Sequence, residues 1–168
     1  NRDRNVTYNI TIKTFIIMDK QKSIAALQAY ATGLAAQSLQ HKVEGKIFAA
    51  QGLDKLSEKY AEHAAEEMGW VDKFFDRILD LGGTPQVAPA PAMPVTADPV
   101  EYIKADLAVS REQVPILQQL VLSLRDDLKT YDIMKAYALD EEEDMLWSEA
   151  QLDLIEKIGL QNWLVKQL

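Results

Sequence analysis

Tyr137-Ala138-Leu139-Asp140-Glu141-Glu142-Glu143-Asp144-Met145-Leu146-Trp147-Ser148 reads as a helix with an acidic turn in its middle. Ile133, Met134, Tyr137, Ala138, Met145, Leu152 and Ile155 fall on one stripe at three-and-four spacing, the period of an amphipathic α-helix. Glu141 and Ser148 lie within that stripe and not opposite it. The sequence therefore directs a carboxylate at a core. Burying an ionised carboxylate without a partner is costly, so such a group is paired, protonated or bound to a metal.

Working outward, a second stripe comprises Leu53, Leu56, Tyr60, Ala64, Glu67, Val71, Phe74, Ile78 and Leu81, and Gly82-Gly83 with Pro85 ends it. Glu67 is again an inward carboxylate. Upstream, Lys20 to Ala50 carries Ile24, Leu27, Ala31, Leu34, Ser38, His41 and Phe48 on one face, and Gly52 breaks the pattern. Two long helices joined so tightly must lie antiparallel. Residues 84–97 are rich in proline and suit an extended polyproline II connector. Asp98-Pro99 then offers a capped start for a third helix with Ile103, Leu107, Ser110, Val114, Leu117, Val121 and Leu124 inward. A fourth begins near Leu128, and Gly159 separates it from a short tail helix, Leu160 to Gln167. The predicted fold class is all-α: an up-down pair, a long crossover, a second up-down pair and a short fifth helix.

Composition narrows function. The chain has 168 residues and 48% apolar content, enough for one full core. With no cysteine, it has no disulfide framework, thiolate metal site or cysteine nucleophile, and it suits a reducing, cytoplasmic setting. Net charge is −8, and residues 1–22 carry +3, leaving −11 on the rest. An acidic body favours cations and makes nucleic acid an unlikely partner, although the basic start is what a DNA-binding arm would need. No apolar run approaches the roughly 20 residues of a membrane span. Val6, Tyr8, Ile10 and Ile12 alternate with polar residues, so residues 1–17 read as a strand or extended arm, or as a non-native extension before Met18.

The run Leu152-Asp153-Leu154-Ile155-Glu156-Lys157-Ile158-Gly159-Leu160-Gln161-Asn162-Trp163-Leu164 resembles the end of bacterioferritin, and Phe75-Asp76-Arg77-Ile78-Leu79-Asp80-Leu81-Gly82-Gly83-Thr84-Pro85 resembles the end of its second helix. The resemblance implies a ferritin-like four-helix bundle over residues 18–168, iron storage, and a homo-oligomeric cage. The tail helix leaves Leu160, Trp163, Leu164 and Leu168 over after the bundle is closed, and the resemblance implies that such a fifth helix joins a closed 24-mer instead of the dodecamer of DNA-protection relatives.

The family's di-iron site takes one Glu from each of two helices and a Glu-x-x-His from each of the other two. Here those positions read Leu34, Glu67 with Trp70, Ser110 (or Ala108 with a different gap), and Glu141 with Asp144. Ferroxidase activity is thus implied by resemblance and put in doubt by the residues. Glu67, Glu141 and Asp144 could hold a single divalent cation through oxygen, iron included, or could be protonated or hydrogen-bonded carboxyls. His41, about 10 Å along the helix from Leu34, reads as a core histidine bonded to a neighbouring helix. His63, between Glu62 and Glu66, reads as part of a solvated face. Met68 follows Glu67 as the haem ligand of the family does, and it is also an ordinary interface residue. Alternative readings are a structural or haem-bearing subunit that co-assembles with a second, catalytic ferritin-type subunit, and a DNA-protection protein.

Overall fold

The computed structural model describes the backbone of residues 2–168 and the side chains of residues 20–168. Among the described residues there are five helices and no strand: α1 (Arg2–Ala50), α2 (Asp54–Asp80), α3 (Pro99–Ser123), α4 (Leu128–Ile158) and α5 (Leu160–Lys166). The alternation at residues 6–12 does not become a strand or an extended arm, because the backbone is helical from Arg2 and continuous with α1. A strand needs a neighbour to take its hydrogen bonds, whereas a helix already nucleated gains one bond for each residue it adds.

α1 and α2 pack as one pair and α3 and α4 as the other. The first turn is made by Gly52, whose φ of 76° lies in the left-handed region, and it is closed by the Leu53 amide donating to the Phe48 carbonyl at 3.0 Å. At the opposite end Arg77 of α2 donates to Asp127 at 2.6 Å and to Thr130 at 2.9 Å, joining α2 to the α3–α4 turn. Asp98 caps α3 by accepting from Val100 and Glu101, with Pro99 in the first turn.

The crossover runs alongside α1 and is tied to it by side chains. Gln28 exchanges hydrogen bonds with the Gln86 backbone, Gln40 donates to Pro94, Glu44 accepts from the Thr96 amide, and Gln51 donates to Ala97. From Gln28 to Gln51 the helix rises about 35 Å, and Gln86 to Ala97 in a polyproline II conformation spans about 34 Å. The proline-rich composition therefore matches the distance the chain must cover.

The core has two apolar parts. One joins Leu27, Leu34, Val71, Phe74, Leu117 and Met134, and the other joins Phe48, Leu56, Tyr60, Tyr102, Ile103 and Trp163. Between them every long helix contributes polar side chains. The tail helix is only partly an unpartnered surface. Trp163 is fully buried in its own bundle and donates to Gln151 at 3.1 Å, while Leu160, Val165 and Leu168 are exposed. The sequence expectation that Trp163 is left over is corrected here, because the α4–α5 turn at Gly159 folds the indole back onto the bundle.

Trp163→Ala removes the largest fully buried side chain and should cost about 3–5 kcal/mol, read as a lower urea midpoint. Leu168→Ala, at an exposed position, is the matched control.

Candidate metal centre

The polar level of the core is built by all four long helices: Ser38, His41 and Glu44 from α1, His63 and Glu67 from α2, Asp106 from α3, and Glu141 and Asp144 from α4. His41 stands at its middle, 2% exposed. Its Nδ1 lies 2.9 Å from Glu67 Oε1 and its Nε2 3.3 Å from Asp106 Oδ1. The Nδ1 approach is short but poorly aligned, so it is an ion contact and not a well-formed hydrogen bond. Burial alone would push the His41 imidazole down, but the Asp106 and Glu67 carboxylates more than reverse this and raise it to about 10. His41 is therefore a cation at neutral pH. Burial raises Glu67, and the His41 charge pulls it back.

His63 behaves in the opposite way. It is buried at 1% exposure, not on a solvated face as the flanking glutamates suggested, and burial together with the charges of Lys59 and His41 pushes it down to about 3. The missed signal was spacing: His63 is three residues after Tyr60 and four before Glu67, which puts it on the inward stripe. Its Nε2 is 3.3 Å from Asp144 Oδ1, again without hydrogen-bond alignment. Burial raises Asp144 to about 7, with Lys59 opposing and Asp140, Glu66 and Glu67 adding to the rise. Glu141 is raised to about 8 by burial and by Glu67, and the Tyr137 hydroxyl pulls the other way. The inward carboxyls are thus answered by an imidazolium at Glu67 and by protons at Glu141.

The residues that the resemblance sets at the di-iron positions do not present six ligands. Leu34 belongs to the apolar core. Ser110 donates to the Asp106 carbonyl of its own helix at 3.2 Å. The Trp70 indole donates to Asp140 at 2.6 Å and packs against Phe74 and Tyr137, so it fills space with a group that cannot ligate. Among the described residues no three His, Asp or Glu side chains converge as a metal site. The residues present do not fit an iron pair.

Sequence reasoning missed Asp106, the second carboxylate on His41, and Glu44, which is fully buried and accepts from Thr96 while its other oxygen has no partner. Both were legible as positions three residues beyond an inward one, Ile103 and His41 respectively. Met68 is 41% exposed on α2, outside this centre, and Glu62 and Glu66 are exposed.

The family model for the ferritin-like domain matches residues 24–158. The chain belongs to the ferritin family. A bacterial ferritin of Pseudomonas aeruginosa is 34% identical over 145 residues, covering 84% of this chain and 94% of that protein. A bacterial ferritin of Neisseria meningitidis is 36% identical over 138 residues, covering 80% and 88%. The bacterioferritin of Rhodobacter capsulatus is 28% identical over 145 residues, covering 83% and 85%. These are iron-storage relatives at family level, and the resemblance read from the two helix ends is borne out along most of the chain.

The chain contains two histidines, so nitrogen-edited NMR resolves both rings. At pH 8, His41 should show both ring nitrogens protonated and His63 the pattern of a neutral ring. In stability terms, His41 is raised above its ordinary value of 6.5 to about 10, so its contribution is full below 6.5 and is lost as pH rises through 10. His63 is depressed, so the unfolded chain takes up its proton first and stability falls as pH drops from 6.5 toward 3. A neutral His41 at pH 8 would show that the carboxylates around it do not act as its partners.

Proposed function

We propose that this chain is a bacterioferritin-like cage subunit that stores and sequesters iron without an efficient ferroxidase centre of its own. The observation that carries this reading is the occupation of the centre by protein groups: Glu67 is engaged by His41, and the Trp70 indole stands where the family has a ligand. Iron entering such a bundle meets one imidazolium, protonated carboxyls and a leucine, none of which favours a pair of cations. A single divalent cation on Glu67, Glu141 and Asp144 would require Glu67 to leave His41 and Asp144 to leave His63, and it is the form of metal binding these residues could still support. Mineral would then form on exposed carboxylates such as Glu62 and Glu66, with ferrous iron oxidised by dioxygen or by a co-assembled, catalytically complete second subunit.

The exposed Leu160, Val165 and Leu168 on and after α5 support assembly of the homo-oligomer into a closed 24-mer, since apolar groups on a short terminal helix favour a further surface. A second reading, a haem-bearing subunit, is favoured by Met68. Its thioether is exposed, and the neighbouring Gly69 is a place where an added Cβ would meet nothing within 4 Å, so a flat group could lie against α2 there. Haem bound by Met68 from two copies would supply electron transfer.

Ferrous iron added to the purified cage under air should oxidise no faster than with an acidic protein of equal charge, followed by absorbance of the ferric product. Rapid, saturable oxidation at an iron pair in each chain would overturn the proposal. The combined variant Leu34→Glu, Trp70→His, Ser110→Glu and Asp144→His should gain saturable iron binding, checked by anomalous diffraction at the iron edge. Light scattering should give a 24-mer, and deletion of residues 160–168 should break it. A dodecamer would count against the shell assignment.

A further inference from the structure

Beside Leu34 of α1 and Ser110 of α3 the bundle is open. A cavity of about 420 Å³ lies between α1, the crossover, α3 and the Tyr137–Glu141 turn of α4. That volume is within the range of about 300–1,000 Å³ typical of sites for small organic ligands. The Tyr30 and Tyr137 rings, 5.8 Å apart and edge to face, form one wall, and Pro91 and Met93 of the crossover form the other. The mouth is at Gly33, where an added Cβ would meet nothing within 4 Å. The crossover is tied at Gln86 and at Pro94, which holds this second wall in place over the cavity.

We propose that this cavity binds a small, uncharged aromatic molecule carrying a hydrogen-bond donor, of the phenol class. Ring walls favour an aromatic guest through offset and edge-to-face contacts, and the Met93 thioether adds a sulfur–ring contact. Polar groups are supplied by Glu141, whose carboxyl can accept, and by Ser110, both of which line the cavity. None of the residues that line the cavity is basic, so an anionic guest of the same size loses its hydration with no charge to meet it. The guest's donor is directed to Glu141, and its ring lies between the tyrosines and the crossover. The inference rests on the shape of the cavity and holds independently of whether the centre oxidises iron.

The test uses the full assembled protein and two probes of similar size, p-cresol and benzoate, followed by titration calorimetry at neutral pH. p-Cresol should bind saturably with one site in each chain, and benzoate at least tenfold more weakly. Gly33→Leu places a side chain in the mouth and removes a helix glycine, so the variant should fold and lose p-cresol affinity by at least tenfold. Ser110→Leu fills the same space from α3 and should do likewise, which separates filling from any fault of folding in either variant. Absence of saturable p-cresol binding, as when a neighbouring copy occupies the cavity, would overturn the proposal. So would binding that survives both substitutions, or benzoate binding equal to p-cresol. Ferrous oxidation measured on the same Gly33→Leu sample reports separately on the iron reading.

Discussion

Carboxylates in the dry interior of a helical bundle must be answered by a cation or by a proton, and the contact of His41 with Glu67 and Asp106 is the answer on which this core is organised. Three helices meet through that one ring. Its positive charge works against the rise that burial causes in Glu67, and it adds to the burial that pushes the nearby His63 toward its neutral form. The two histidines are therefore not interchangeable, although their rings are only 5.7 Å apart. One is a buried counter-ion, and the other is an aromatic packing residue between Tyr60 and Trp147.

That arrangement explains how a ferritin bundle tolerates the substitutions at its centre. In the di-iron family metal charge offsets the converging carboxylates, whereas here an imidazolium serves Glu67, and Leu34 and Ser110 stand where the resemblance would put two more carboxylates. Trp70 takes the volume left on α2 and directs its N–H to Asp140 at the edge of the bundle. On the α1 and α3 side a cavity lies under the crossover, beside Leu34 and Ser110. The same crossover that satisfies the topology, by spanning the length of α1 in an extended conformation, is thus also a wall of that cavity.

Much of the fold was legible because its signals are local. Apolar spacing in α2, α3 and α4, the Asp98-Pro99 start, and Gly52 and Gly159 each act through bonds and sterics within a few residues. The alternation near Tyr8 was the exception. β-propensity has force only where a second strand exists to pair with, and that is not a local property.

The sequence by itself determined that Glu67 and Glu141 face inward, since that follows from helical period, and the resemblance at the two helix ends marked where ligand types of the di-iron family are replaced. Only the tertiary structure decided what answers each carboxyl. The partner of Glu67 is His41, 26 positions away on α1, and the second carboxylate on that ring is Asp106, 65 positions beyond His41 on α3. Periodicity tells which way a side chain points but not what it meets, because the axial alignment of one helix against another is fixed by the turns and by the packing of both apolar clusters together.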